Sequence, residues 1–202
     1  MTEAQSTGET HESGTPRHGM LDRFGIYFLR DIHDVEAEKF AKSMLAMATG
    51  LQQYPNSRIT VYINSGGGSV GAGFSIMEIM YKIKRDFGIP VDTVVLGYAY
   101  SMGAVIAQAG DKRSMGFFST MMLHGGTWSI TGEDHRIFAD YLKLADLYKE
   151  KIGELFSRRT GLHNPRWWIR YIYSGRDRFL SAQECLELQL VDQVCDFDSC
   201  YI

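Results

Sequence analysis

The sequence predicts an α/β fold in which a largely parallel sheet is covered by helices. Three observations lead there. Short β-branched or aromatic runs alternate with longer segments of helical apolar spacing, glycine and small residues stand where strands give way to helices, and no repeat divides the 202 residues. Strands that alternate with helices pair in parallel, because each crossover returns the chain to the same end of the sheet. A chain of this length suits one domain with a full core, and residues 21–202 are assigned to it.

Gly25-Ile26-Tyr27-Phe28-Leu29 reads as a short buried strand. From about His33 to Leu51, Val35, Phe40, Met44, Leu45, Met47 and Ala48 recur near helical spacing, and Tyr54-Pro55-Asn56-Ser57 closes the element. Ile59-Thr60-Val61-Tyr62-Ile63 is a second strand. After Asn64-Ser65-Gly66-Gly67-Gly68 a helix runs from about Ser69 to Arg85, with Val70, Phe74, Ile76, Met77, Met80 and Ile83 on its apolar side. Thr93 to Gly97 is a strand, Ser101 a turn and Met102 to Ala109 a helix, with further strands around Arg113 to Met115 and Thr120 to Leu123.

A long helix follows from about Gly132 to Thr160, its residues Ile137, Tyr141, Leu144, Tyr148, Ile152 and Leu155 stepping by three and four, with Gly161 as its C-cap. It would extend roughly 40 Å, more than this core requires, so it should protrude toward a partner subunit. Pro165 opens an aromatic helix containing Trp167, Trp168, Ile169 and Tyr171. Ser181 and Glu184 have the spacing of a capping box, and Val191 to Val194 forms a last strand.

Composition excludes some function classes. With a formal net charge of -3 and no basic stripe, the chain has no electrostatic footprint for nucleic acid. No run of about 18 apolar residues exists to span a membrane. Residues 1–20 are polar without an apolar core, so they read as a flexible tail rather than a signal peptide, which favours a cytoplasmic protein. Cys185, Cys195 and Cys200 are odd in number and lack CxxC spacing, so neither a disulfide framework nor a zinc site is expected. A reducing compartment is the simplest reading. His11, His18, His33, His135 and His163 show no ligand spacing and are expected on solvated surface.

The chemistry centres on Val95-Leu-Gly-Tyr-Ala-Tyr-Ser101-Met-Gly-Ala-Val105, where a serine sits at a strand-to-helix junction. Ser101 is either the N-cap of the following helix or a nucleophile on a tight turn with small neighbours around its oxygen. A nucleophile needs a base, an orienting carboxylate and donors for the oxyanion. His124, at the end of a strand and before Gly125-Gly126, is the best base. Asp177, in Gly-Arg-Asp-Arg-Phe-Leu-Ser between two helices, is the candidate carboxylate, the alternative being a surface residue paired with Arg176 or Arg178. Gly66-Gly67-Gly68 lets backbone N–H groups approach a substrate oxygen. A phosphate cradle would use the same physics, but GGGSVGAG has neither the P-loop lysine nor an acidic residue about twenty positions on.

Four segments then carry a resemblance: Tyr62-Ile-Asn-Ser-Gly-Gly-Gly-Ser-Val-x-Ala-Gly, Gly97-x-Ala-x-Ser101-Met-Gly-Ala, Met122-Leu-His124, and Arg176-Asp177-Arg-Phe-Leu-Ser-Ala-x-Glu-Cys followed by Gln189-Leu-Val-Asp. In order and spacing, from about Gly25 to Val194, the chain resembles the proteolytic subunit of the Clp protease. The resemblance implies a crotonase-like fold and a serine peptidase with Ser101, His124 and Asp177 as its triad. It also implies an oxyanion hole from the N–H groups of Gly68 and Met102, and a handle helix at about 132–160 that joins seven-membered rings stacked as a tetradecamer. Peptides or unfolded proteins would be the substrates. The chemistry needs no metal or organic cofactor, and ATP would belong to a partner unfoldase of the AAA+ type.

Three departures stand out. Gly66 replaces the family's usual proline, which loosens the turn but leaves its amides in place. Gly125-Gly126-Thr127-Trp128-Ser129 replaces the usual Gln-Pro and glycine pair in the substrate-facing strand. The N-terminal segment differs from the family's axial loop. Other readings are an acyl-CoA hydratase or isomerase on the same fold class, an enzyme like the related signal peptide peptidases with Lys112 as base, against which the membrane anchor typical of that group is not seen, a non-catalytic ring subunit, and a viral or specialised maturation protease without an ATPase.

Overall fold

The structure, a computed structural model, describes residues 24–126 and 135–196. The tail at 1–20, the start of the long helix at Gly132, Thr127-Trp128-Ser129 and Cys200 lie outside them. The order is β1 (Phe24–Leu29), α1 (Asp34–Leu51), β2 (Arg58–Ser65), α2 (Val70–Phe87), β3 (Val91–Tyr100), α3 (Met102–Ala107), β4 (Arg113–Gly116), β5 (Thr120–Leu123), α4 (His135–Thr160), α5 (Pro165–Ile172), β6 (Arg178–Ser181), α6 (Ala182–Glu187) and β7 (Gln193–Cys195).

The strands form one sheet in the order β1-β2-β3-β4-β7, with β5 also on β3 and β6 on β5. Every pairing is parallel except β5 with β6. β3 is longer than its apolar run indicates because, besides β2 on one side, it serves two partners in succession on the other. Thr93 to Val95 lie against β4, the chain bends at Gly97 (φ 89°), and Tyr98 to Tyr100 lie against β5. That bend carries the end of β3, and Ser101 with it, toward β5 and His124.

β2 alternates, with Ile59, Val61 and Ile63 fully buried. They pack in one core with Phe40, Met44 and Ala48 of α1 and Ile76, Met80 and Ile83 of α2. Burial of each such side chain contributes about 1.5–3 kcal/mol, so this layer dominates the stability. Phe28 and Ile26 of β1 remain 73% and 49% exposed on the other face. A parallel sheet with an uncovered apolar face is unusual in a lone protomer.

The caps follow the sequence. Ser69 accepts from the N–H of Ala72, Asn164 accepts from that of Trp167, and Ser181 with Glu184 forms a complete capping box. α4 ends at Gly161 (φ 67°), whose N–H donates to Ser157 O. Its last third buries Ile152 and Phe156, whereas Phe138, Tyr141, Leu142 and Leu147 stay exposed. The first two thirds of the helix thus leave an apolar surface uncovered.

Several expectations need correction. A four-residue strand, β6, follows Asp177 where only a loop between helices is expected, and it runs antiparallel. His163 is half-buried against Trp167, with ring centroids 3.7 Å apart, rather than solvated. Cys195 is disulfide-bonded, so its thiol gives no argument for a reducing compartment, whereas Cys185 is free and buried. Among the described residues, no helix is long and apolar enough to cross a membrane.

Candidate active site

The parallel sheet brings the chemically interesting residues to one end. The glycine run follows the carboxyl end of β2, Ser101 that of β3 and His124 that of β5, the edge at which open α/β sheets hold their ligands. β6 is antiparallel to β5, so its amino end lies at the same edge. The last ladder pair is Leu123 with Arg178, and continuing that register by one residue sets His124 across from Asp177. Opposite residues of an antiparallel pair point to the same face.

Ser101 has φ 53° and ψ -120°, outside the comfortable regions for a side chain with a Cβ. Surrounding structure holds it there. Its N–H donates to Met122 O at 2.9 Å, and its carbonyl accepts from the N–H of Ala104 at 3.0 Å. A Cβ on Gly67 would lie 2.7 Å from Ser101 Cβ and 2.9 Å from Tyr100 O, so the tight turn requires glycine opposite it. Gly68 is equally constrained, since a Cβ there would approach Ile32 O to 2.1 Å. Ser101 makes no side-chain capping bond to α3. Its hydroxyl meets His124 instead of the amides of the helix.

His124 Nε2 is 2.8 Å from Ser101 Oγ. Its Nδ1 lies 3.6 Å from Asp177 Oδ1, within ion-pair range but long for a hydrogen bond. Catalytic contacts are often loose without substrate and tighten in the complex. Among the described residues Asp177 pairs with His124 and with neither flanking arginine. The side chains of His124 and Asp177 are 25% and 57% exposed, so the carboxylate side of the site is the open one.

Gly67 N–H donates to Ser65 Oγ at 3.1 Å and Ser69 N–H to Ile32 O at 2.8 Å, with Gly68 between them. Met102 opens α3, where an N–H has no acceptor within its own helix. Gly68 and Met102 both line a cleft of about 660 Å³ with Ser101 and His124. Val70, Val105, Leu144, Ile152, Phe156 and Ile172 make its wall largely apolar. No signal for this cleft is visible in the sequence, because its wall is gathered from α2, α3, α4 and α5. Lys112 is not near the site. Its carbonyl meets Thr93 N–H at the amino end of β3 and β4, roughly 25 Å of strand away from Ser101.

The arrangement can move a proton from a hydroxyl to an imidazole beside a cleft that Gly68 and Met102 also line. The family model described as Clp protease matches residues 8–198, nearly the whole chain. The peptidase fold expected from the sequence motifs is therefore the one observed, and the chain belongs to the Clp protease family.

Proposed function

We propose that this chain is a serine endopeptidase, the proteolytic subunit of an ATP-dependent Clp-type protease. The observation that carries the reading is the 2.8 Å contact between His124 Nε2 and Ser101 Oγ, made by a serine whose strained backbone leaves it no capping role. His124 takes the Ser101 proton as the oxygen attacks a peptide carbonyl, and the N–H groups of Gly68 and Met102 hold the oxyanion. The imidazolium then protonates the leaving amine. Water, activated by the same imidazole, releases the acyl group, and Asp177 orients the ring and stabilises its charged form.

The substrates are peptides and unfolded proteins, with an apolar side chain beside the scissile bond seated in the cleft. Family membership implies oligomeric rings, and the exposed apolar residues of α4 and the uncovered face of β1 support subunit contacts at both places. Seven-membered rings stacked as a tetradecamer would enclose the sites, so selectivity would come mainly from access, with ATP spent by an AAA+ unfoldase rather than by this chain.

The test compares wild type with Ser101→Ala on a fluorogenic peptide and a fluorophosphonate probe. Cleavage should fall by at least about 10⁴-fold and labelling should vanish. Undiminished cleavage by the alanine variant would refute the assignment.

A further inference from the structure

Asp177 lies in an exposed stretch, Ser174-Gly175-Arg176-Asp177, whose nearest firm anchor is the residue after it. Arg178 begins β6 opposite Leu123, the residue before His124. Its side chain turns back across the loop: Nε donates to Tyr171 O at 2.7 Å, Nη2 donates to Ser174 Oγ at 3.3 Å, and the guanidinium carbon sits 4.1 Å from the centre of the Tyr171 ring. One side chain thus closes the turn from the end of α5 to the start of β6.

The platform beneath it is built. Tyr171 stacks on Trp167 with centroids 4.8 Å apart at 12°, and Trp167 stacks on His163 at 3.7 Å and 20°. Trp167 and Tyr171 stand four positions apart on α5, the spacing that puts side chains above one another on a helix, and His163 joins the stack from just before the N-cap Asn164. At the base, Ser157 of α4 donates to His163 O at 2.6 Å, and the fully buried Trp168 meets Trp167 edge-on. A four-part column of His163, Trp167, Tyr171 and Arg178 therefore runs from α4 to the residue bonded to Asp177. A planar guanidinium suits this place because it can stack and donate at once, which an ammonium cannot.

We propose that Arg178 is a positioning residue that holds Asp177 within reach of His124, with the aromatic column as its backing. The proposal rests on the reading of Asp177 as the orienting carboxylate. The loop has no other side-chain bracket of comparable extent among the described residues, and the 3.6 Å gap between Asp177 and His124 leaves alignment sensitive to small loop shifts.

The test is a double-mutant cycle on the assembled full-length protein, with kcat and KM measured on a fluorogenic peptide for wild type, Asp177→Asn, Arg178→Ala and the double variant. Arg178→Ala should lower kcat by about tenfold or more with KM within about twofold. In the Asp177→Asn background it should have no further effect, because both changes remove the same orientation. Tyr171→Ala should reproduce the Arg178→Ala loss and Tyr171→Phe should not, so the contact stays testable if either alanine variant fails to fold. Equal losses from Arg178→Ala in both backgrounds, or a wild-type kcat for it, would overturn the proposal. A wild-type kcat for Asp177→Asn alone would instead overturn the triad reading, and this proposal with it.

Discussion

The two arms that meet at His124 are built differently. On the serine side, Ser101 is fixed in a strained conformation by Met122 O, by Gly67 pressed against its Cβ, and by the fully buried Ala99 and Ala104 on either side. On the carboxylate side, Asp177 is 57% exposed at the end of a short edge strand and 3.6 Å from its imidazole. Strain persists only where neighbours over-determine it, so a serine held in this conformation has to be set into the core. Orienting an imidazole requires only that a carboxylate be near, and a surface loop clipped by one arginine can supply that.

The contrast predicts how each arm fails. Gly68→Ala should do the most damage, because its Cβ would sit 2.1 Å from Ile32 O and the backbone has to move. Peptidase activity should fall on the order of 10³-fold through loss of an oxyanion donor, and the melting temperature should fall as well. Asp177→Asn should lower activity by about 10²-fold or more yet leave melting unchanged within about 1 °C, since the side chain makes little packing contact. If both variants melt normally, or both melt early, the distinction between the arms is wrong.

Val70→Phe narrows the cleft without touching either arm. Hydrolysis of peptides with a large apolar residue beside the scissile bond should fall about tenfold relative to those with alanine, read as a ratio of kcat/KM values. An unchanged ratio would remove the cleft from substrate selection.

The smallest effect concerns the frame. Arg113 is buried and donates through its main-chain N–H and Nε to Asp192 Oδ2 at 2.7 and 3.2 Å, and through Nη1 to Gln108 at 3.0 Å. Burial alone raises the Asp192 pKa, but the side-chain and backbone hydrogen bonds from Arg113 outweigh it and the net shift is downward. A lowered folded pKa means stability that is present above the unfolded value and lost as pH falls through the folded one. Asp192 is partly exposed, so screening keeps the contribution small. Asp192→Asn should cost about 2 °C of melting temperature at neutral pH, and the difference should close only below about pH 4. A pH-independent difference would mean the charge is not its cause.

Where structure follows local chemistry, the sequence is legible. The β-branched run of β2, the helical steps of α2 and α4, and the caps at Gly161 and Ser181 all lie where their residues indicate. β6 is not legible, because Arg178-Phe179-Leu180-Ser181 is too short for its alternation to stand out and Phe179 is 61% exposed. That strand is what brings Asp177 to His124, so motif resemblance can name the carboxylate while the local residue pattern does not single it out. Ser101 is ambiguous for a related reason: a cap and a nucleophile share the same sequence context. The column on Tyr171 is written at four-residue spacing, but the partner at its top arrives from another element.

The central claim is that Ser101 is the nucleophile activated by His124. The most direct measurement is the site and rate of covalent modification: react wild type and His124→Ala with a fluorophosphonate, digest, and locate the adduct by mass spectrometry. The account predicts a single adduct on Ser101 in wild type and at least a hundredfold slower labelling in the histidine variant. An adduct on another residue, or equally fast labelling of Ser101 without His124, would contradict it.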